Sequence, residues 1–417
     1  MKISNIEIKN FKSFKNMSVS LNDFNVVVGQ SASGKSNFVE AFDFLRDIAE
    51  DFEKGVYDNG SMLIQNLNCN RDTPSCIKAT VGDGNPFVGV SNPLSKNGEE
   101  IITMVWYTSI EYELCIKFRE TEIDYITEIV KLNFNIYDDE DSNLLSDNAL
   151  YLKNDNGNIS VYFEEDETYA DLEFFVPKAL LNIVNNNFKE KIGLIINSPL
   201  SAVPISWSNY FKDISSFIFD PNISKMGDFK GNGTLSKYGD NLPIVLDTII
   251  SDEDKKRKFL NLVSILLPYV EDIEVRKMDD DTRIFRLIES YTKVPVFAPF
   301  ISDGTANILA LISAIYFSKR SVILIEEPER NIHPGLLMQL VDMMKEVSSQ
   351  NKQIIITTHS PEILNNCDLE DILFISRDEN GFSTFSKPSD NDDVREFIKE
   401  LTIGELFMEG CLGDTNE

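Results

Sequence analysis

The segment Gly29–Ser36, with the sequence GQSASGKS, constrains the fold of this chain more than any other segment. It matches the phosphate-binding pattern G-x-x-x-x-G-K-[ST], and it lies between the apolar run Val26–Val28 and a segment with helical periodicity. Glycines at both ends let the backbone curl around a phosphate, and the following helix adds the positive end of its dipole. The sequence therefore predicts a strand, a phosphate-binding loop and a helix in direct succession.

The loop residues have distinct expected roles. The Lys35 ammonium would reach the β- and γ-phosphates of a nucleotide, and the Ser36 hydroxyl would ligate Mg²⁺. ATP and Mg²⁺ are thus the expected ligands. The expected ATP-binding residues are Gly29, Gln30, Ser31, Ala32, Ser33, Gly34, Lys35, Ser36 and Asn37.

Hydrophobic periodicity predicts the fold class. The segment Ile6–Phe11 alternates like a strand, and Phe38–Ile48 places apolar residues on one helical face. The period-2 run Ile110–Phe118 predicts an antiparallel sheet with one solvent-exposed face. From Pro177 to about Val270 the pattern is mainly helical. We expect an α/β fold with a central parallel sheet, an antiparallel β subdomain and a mainly helical insertion.

Three regions follow from this reading. Residues 1–137 would form an N-terminal ATPase lobe with the loop and the antiparallel subdomain, 138–270 the insertion, and 271–417 a C-terminal ATPase lobe. The acidic run Asp138–Asp141 begins a polar stretch that extends to about Asn158. We predict a solvated loop there, although such carboxylates could also bind a metal.

Charge restricts the expected partners. The chain carries 39 Lys and Arg against 68 Asp and Glu, a net charge of −29, which repels a nucleic-acid backbone. A DNA contact would therefore need a local basic patch or a basic partner, and the acidity is also consistent with solubility alone. The N-terminus is charged and alternating, and we find no apolar run long enough for a membrane span. We expect a cytoplasmic protein.

The cysteines predict neither a disulfide framework nor a zinc site. They are an odd, scattered set without a C-x-x-C pair, which is typical of buried thiols. The five residues are Cys69, Cys76, Cys115, Cys367 and Cys411.

Polar residues follow two further apolar runs. Glu326 and Glu327 follow Val322–Ile325, and His359 closes the run that begins at Gln353. Ligands of open α/β sheets bind at the carboxyl ends of strands. Hydrolysis of a γ-phosphate needs a metal, a carboxylate that holds water and a donor to the transferring group. We expect Glu326 to support Mg²⁺, Glu327 to polarise the attacking water and His359 to donate to the γ-phosphate.

Five segments together resemble the ABC-type ATPases of the RecF, SMC and overcoming-lysogenization-defect group. Their order is most similar to that in compact ATPase subunits of bacterial anti-phage systems, and residues 233–246 are also family-like. The segments are NIEIKNFKSF, GQSASGKSN, ISDGT, VILIEEPERNIHP and IIITTHSPEIL.

The resemblance implies an assembly. Two copies would sandwich two ATP molecules, and the signature segment of one copy would touch the γ-phosphate held by the other. The signature segment consists of Ser302, Asp303, Gly304 and Thr305. The resemblance also implies that Pro328–His333 is a loop communicating between the two sites. From its position at a helix start before Pro334, His333 itself is expected to have a structural or interfacial role.

The chain departs from the family pattern at several positions. Ser31-Ala32 replaces the common Asn-Gly, which should still allow a phosphate-binding loop. Glu326 replaces the usual Asp and is one methylene longer, which favours a water-mediated metal contact. The signature SDGT differs from the transporter form SGGQ and points away from membrane transport. Gln65 is the candidate for the glutamine that the family places near Mg²⁺.

We expect an ATP-hydrolysing homodimer whose nucleotide state controls a separately encoded effector, expected to be a nuclease, in anti-phage defence. The reasons are the complete set of ATPase motifs, the lack of a recognisable catalytic module beyond them and the strong acidity of the chain. We see no toprim-like acidic nuclease module after His359. One alternative is a DNA repair or chromosome-maintenance clamp that acts directly on DNA. Another is a scaffold that binds ATP without turnover. A P-loop kinase is disfavoured, because it leaves ISDGT and His359 unexplained.

Overall fold

The computed structural model describes residues 2–66, 69, 72–82, 88–96, 99–119, 122–138, 144–164, 207–226, 233–278, 282–350 and 352–413. The chain divides into two compact units. The first unit comprises Met1–Leu21, Glu40–Asp213 and Arg377–Thr384, and the second comprises Asn22–Val39, Ile214–Ser376 and Phe385–Glu417.

The strands are β1 (Ile3–Phe11), β2 (Phe14–Ser20), β3 (Phe24–Val28), β4 (Ser75–Val81), β5 (Val88–Lys96), β6 (Glu99–Arg119), β7 (Glu122–Asp138), β8 (Leu144–Asp155), β9 (Asn158–Phe163), β10 (Ile214–Phe217), β11 (Val270–Lys277), β12 (Arg283–Glu289), β13 (Pro295–Phe297), β14 (Val322–Glu326), β15 (Gln353–Thr358), β16 (Ile372–Arg377) and β17 (Ser383–Ser386). The α-helices are α1 (Lys35–Glu50), α2 (Phe52–Ile64), α3 (Trp207–Lys212), α4 (Pro221–Met226), α5 (Leu242–Ile250), α6 (Glu253–Leu266), α7 (Asp303–Ile312), α8 (Leu337–Ser348), α9 (Pro361–Leu364), α10 (Asp392–Phe397) and α11 (Ile403–Met408).

Unit one contains an antiparallel sheet in the order β2-β1-β4-β6-β7-β8-β9, with β5 also paired to β6. Where the side chains of its strands are described, they alternate between a buried and a more exposed face, as the period-2 pattern predicts. In β6, Ile110, Tyr112, Leu114 and Ile116 are buried, while the residues between them are partly exposed. The prediction of an antiparallel sheet with one wetter face is confirmed.

The solvated loop predicted from Asp138 to about Asn158 is wrong from Leu144 onward, where the chain forms strand β8. In β8, the apolar Leu150 and Leu152 and the polar Asn154 are all buried. Asn154 Nδ2 donates to Glu128 Oε2 at 3.1 Å, which satisfies a carboxylate in the sheet interior. Residues 139–143, which hold most of the acidic run, lie outside the described residues. Residues 165–206, which include the first part of the stretch predicted to be mainly helical, also lie outside them.

The expectation that all the cysteines are thiols is also wrong. Strands β4 and β6 pair in a register that sets Cys76 opposite Cys115 with a Cα–Cα distance of 4.1 Å, and the two sulfurs form a disulfide. The two cysteines are 39 residues apart, and nothing in that spacing reveals the strand register. Cys69, Cys367 and Cys411 are free, and burial raises the pKa of the Cys367 thiol to about 12.

We expect reduction of the Cys76–Cys115 bond to lower the free energy of unfolding of unit one by about 2–4 kcal/mol, because the bond restricts the unfolded chain. Both tryptophans, Trp106 and Trp207, lie in this unit, so their fluorescence during urea unfolding reports on it. The double Cys76→Ser, Cys115→Ser variant should lose the dependence on reductant, whereas Cys411→Ser should keep it. An unchanged wild-type midpoint in reductant would contradict this prediction.

The second unit is built on a sheet in the order β10-β14-β15-β3-β16-β17, in which the pairs from β10 to β16 are parallel. Residues Val26–Val28, Ile323–Ile325 and Ile354–Ile356 are at most 1% exposed. Strands covered on both faces read as continuous apolar runs, which is why the sequence predicted them as central strands. The apolar faces of α5, α6, α7 and α8 complete the core. The α/β class with a central parallel sheet is confirmed.

A smaller antiparallel sheet, β11-β12-β13, also belongs to this second unit. Val275 of β11 pairs with Phe285 of β12, and residues 279–281 lie outside the described residues. The predicted apolar face of α1 is buried along its length. Within the described ranges, no helix is both long enough and apolar enough to cross a bilayer.

Candidate functional site

The predicted site residues follow three neighbouring parallel strands. In the sheet, β14 pairs with β15 and β15 pairs with β3, so their carboxyl ends share one edge. The polar residues Glu326 and Glu327 close β14, His359 follows β15, and the phosphate loop Gly29–Ser36 follows β3. The fold therefore brings together the three groups that the sequence placed at strand ends.

The backbone of the phosphate loop reverses sharply. Gly34 has a φ of 118° and Ala32 a φ of 63°, and the Ser33 amide donates to the Gln30 carbonyl at 3.2 Å. Ala32 occupies the left-handed region although it carries a Cβ, so the substitution of Ser31-Ala32 for Asn-Gly keeps the turn at some conformational cost. A Cβ at Gly29 would lie 2.2 Å from the Ile375 carbonyl oxygen, so only glycine fits there.

Lys35 and Ser36 begin helix α1 and point polar groups at the strand ends. Lys35 Nζ donates to the carbonyl oxygens of Gly29 at 2.7 Å and Gln30 at 2.9 Å. Burial lowers the pKa of Lys35, and the negative charges of the nearby glutamates oppose that shift. Ser36 Oγ donates to Glu326 Oε2 at 2.7 Å.

These residues fit ATP and Mg²⁺. The loop backbone reverses at Ala32 and Gly34, as a phosphate-binding turn does, and Lys35 supplies a cation at its rim. Ser36 and Glu326 place a hydroxyl and a carboxylate oxygen side by side, the hard oxygen donors that Mg²⁺ binds.

Glu327 and His359 face each other beyond the strand ends. Glu327 has a φ of 48°, and its amide donates to the Thr357 carbonyl at 2.8 Å, which turns the chain out of β14. His359 Nδ1 lies 3.2 Å from Glu327 Oε1. Both side chains are about half exposed, so a ligand can reach them.

The signature segment caps helix α7. Ser302 Oγ accepts from the Thr305 amide at 3.2 Å, and this cap starts the helix at Asp303. Asp303 forms an ion pair with Lys225. A Cβ at Gly304 would lie 2.3 Å from the Asn331 carbonyl oxygen, so this glycine packs directly on the Pro328–His333 loop of its own chain.

Two other predicted residues make contacts of a different kind. His333 Nδ1 accepts from the Gly335 amide at 3.1 Å and caps the turn before α8, a structural contact. Gln65 belongs to unit one, where it forms an isolated bridge with Phe11. The role of Gln65 near Mg²⁺ stays a prediction.

Sequence reasoning missed Glu329. Its Oε1 accepts from Thr358 Oγ1 at 2.6 Å and from the His359 amide at 3.4 Å, and it lies 3.8 Å from His359 Nδ1. Burial raises the pKa of Glu329, although the Thr358 hydrogen bond opposes the shift. The available signal was the third acid in Glu-Glu-Pro-Glu, which alternation and motif spacing do not distinguish from a surface residue.

Two family models match the chain. A model described as an AAA ATPase domain matches residues 1–261. A model of an AAA domain, described with the AbiEii toxin of a Type IV TA system, matches residues 213–365. The two matches together span the phosphate loop, the signature segment, Glu326, Glu327 and His359.

Curated relatives are similar over most of the chain. Old nuclease of Escherichia phage P2 is 24% identical over 96% of this chain and 63% of its own length. Endonuclease GajA of Bacillus cereus (strain VD045) is 23% identical over 88% of this chain and 57% of its own. The Retron Vc95 probable ATPase of Vibrio cholerae is 21% identical over 97% of this chain and 79% of its own length. The chain thus spans about three fifths of the two nucleases.

Solved structures of SMC heads are similar to this chain with TM-scores below 0.5. The head domain from Thermotoga maritima is 14% identical with a TM-score of 0.42, covering 93% of this chain and 99% of that one. An SMC head bound to the C-winged helix domain of ScpA is 15% identical with a TM-score of 0.47, and the similarity covers 93% of this chain and 97% of that one.

The similarity to Old nuclease confirms the predicted resemblance to the overcoming-lysogenization-defect group. One family model matches residues 1–261, which is well over half of this chain. The chain therefore belongs to the AAA ATPase domain family and is an ATPase.

Proposed function

We propose that this chain hydrolyses ATP at the carboxyl ends of β3, β14 and β15, and that the nucleotide state of a homodimer controls a separately encoded nuclease in anti-phage defence. One observation carries the proposal. The Ser36–Glu326 pair, at 2.7 Å, and the Glu327–His359 pair, at 3.2 Å, stand at the same sheet edge as the phosphate loop. A phosphate-binding turn, an oxygen pair for a metal and an acid–imidazole pair are the groups that γ-phosphate hydrolysis needs.

Each residue has one role in the proposed reaction. The loop amides hold the phosphates, and Lys35 exchanges its carbonyl partners for β- and γ-phosphate oxygens. Ser36 and Glu326 would hold Mg²⁺, which when bound neutralises charge on the phosphates. Glu327 orients and polarises the attacking water, and His359 donates to the γ-phosphate.

The second copy would complete the site. We assign Ser302, Asp303, Gly304 and Thr305 to contact with the γ-phosphate bound by the partner. The signature segment begins a helix of 10 residues, whose N-terminal amides suit an anion. The contact between Gly304 and Asn331 supports a connection from the signature segment to the loop after Glu327.

The effector and the compartment are parts of the same proposal. Two relatives are named nucleases. We assign the nuclease activity to a separate chain, and we place both proteins in the cytoplasm. With a net charge of −29, this chain would reach DNA through that partner rather than through its own overall field.

The test is to purify the chain from its native gene neighbourhood with Mg-ATP, measure phosphate release, and identify by mass spectrometry what remains bound through gel filtration. A stoichiometric nuclease supports the proposal. ATPase alone, with duplex DNA that dissociates in salt, would replace it with the DNA clamp. Background phosphate release with nucleotide still bound would leave only a scaffold.

A further inference from the structure

The loop after β14 contains a buried carboxyl group that the proposed reaction does not use. The Glu329 side chain is 11% exposed, whereas the neighbouring Glu327 side chain is 43% exposed. Glu329 Oε1 accepts from Thr358 Oγ1 at 2.6 Å and from the His359 amide at 3.4 Å. One oxygen atom therefore contacts two consecutive residues where β15 ends.

The same contacts fix the turn that carries His359. Thr358 is fully buried, and its Oγ1 accepts from the Ser360 amide at 2.9 Å while donating to Glu329. The His359 side chain is 56% exposed, so packing does not hold its ring. The direction of the imidazole therefore depends on the backbone turn and on the carboxylates beside it.

Packing alone does not explain a glutamate at this position. Among the described residues, the buried Glu329 Oε2 has no hydrogen-bond partner. Burying an unpaired carboxylate oxygen is unfavourable, and burial raises the pKa of Glu329 accordingly. An apolar side chain of similar volume would avoid that penalty. What such a side chain cannot supply is the acceptor for Thr358 and His359.

We propose that Glu329 is a positioning residue for His359: its Oε1 holds the Thr358 hydroxyl and the His359 amide, so that His359 Nδ1 stays beside Glu327 and Nε2 stays available to ATP. Glu329 itself does not touch the nucleotide. The catalytic consequence rests on the proposed function, whereas the orientation of His359 can be tested without it.

Two substitutions separate the acceptor from the remainder of the side chain. Glu329→Gln keeps an acceptor oxygen, and Glu329→Leu removes it at similar volume. We expect Glu329→Leu to lower kcat roughly 10- to 100-fold, as misplacement of a reacting group does, with ATP affinity within about threefold of wild type. Glu329→Gln should keep at least about a third of the turnover, because the amide oxygen accepts the same two hydrogen bonds. Equal loss in both variants would overturn the proposal.

Histidine NMR gives a readout that does not depend on hydrolysis. The chain has two histidines, so ¹⁵N-labelled histidine yields two sets of ring signals, and His359→Ala assigns them. Glu329→Leu should move the His359 ring signals toward those of a solvent-exposed histidine and leave the His333 signals in place. Unmoved His359 signals in folded Glu329→Leu would refute the proposal, even if wild-type protein failed to hydrolyse ATP.

A neighbouring pair supplies the matched control. Ser360 Oγ donates to Glu362 Oε2 at 2.7 Å, so Glu362→Leu removes the same kind of hydroxyl–carboxylate bond from the residue after His359. This variant should leave the His359 signals unchanged. If Glu329→Leu does not fold, as judged by thermal unfolding, Thr358→Val removes the donor instead and should move the same signals.

Discussion

We expect Lys35→Ala to abolish ATP binding at the concentrations that just saturate the wild-type protein. In the structure, Lys35 Nζ donates to the carbonyl oxygens of Gly29 and Gln30 and so stands at the rim of the phosphate loop. ATP offers it charged phosphate oxygens, and removing one partner of a buried charge pair costs about 2–5 kcal/mol. That cost corresponds to a loss of roughly 30- to 5,000-fold in affinity, which titration calorimetry measures directly.

A second lysine makes the comparison strict. Lys352 Nζ also donates to two backbone carbonyl oxygens, those of Ile315 at 2.7 Å and Ser318 at 2.8 Å. Lys352→Ala therefore removes the same type of contact from the same unit without touching the phosphate loop. We expect it to bind ATP like wild type. Equal loss of affinity in the two variants would attribute the effect of Lys35→Ala to damage of the fold.

The parallel sheet could be predicted from the sequence because its physical causes are local. Strands such as Ile323–Ile325 and Ile354–Ile356 are covered on both faces and read as unbroken apolar runs. The polar groups that follow them then identify the ligand edge of the sheet. The phosphate-binding pattern Gly29–Ser36 could also be predicted from the sequence, because each residue type in it meets a local steric or charge requirement.

The features that sequence reasoning missed depend on contacts between distant residues. The Cys76–Cys115 bond requires the register of β4 against β6. Strand β8 contains a buried polar residue, Asn154, whose partner Glu128 lies on the adjacent strand. Glu329 resembles a surface acid until the fold brings Thr358 to its side. A polar residue in the sequence does not reveal whether its partner is water or another side chain.

Glu327→Gln should bind ATP, hydrolyse it poorly and accumulate as the ATP-bound homodimer. Gln has the shape of Glu and keeps an oxygen 3.2 Å from His359 Nδ1, but it is a far weaker base toward water. General-base contributions of this kind are worth roughly 10²- to 10⁴-fold in kcat, so phosphate release should fall by that range. Losing one negative charge at the edge that holds the phosphate loop should not weaken ATP binding, because a carboxylate there repels the anionic phosphates.

Gel filtration with and without ATP, together with phosphate release, distinguishes the parts of the proposal. The exposed Glu370→Gln in the same unit is the control and should match wild type in both assays. If Glu327→Gln hydrolyses ATP at the wild-type rate, Glu327 is not the residue that activates the water, and no other carboxylate is assigned to that role. Slow turnover without an ATP-dependent increase in size would keep Glu327 in that role but refute the dimer. In that case Ser302 and Gly304 would lose their assigned contact with a partner's γ-phosphate, and the cap at the start of α7 would be a feature of the single chain.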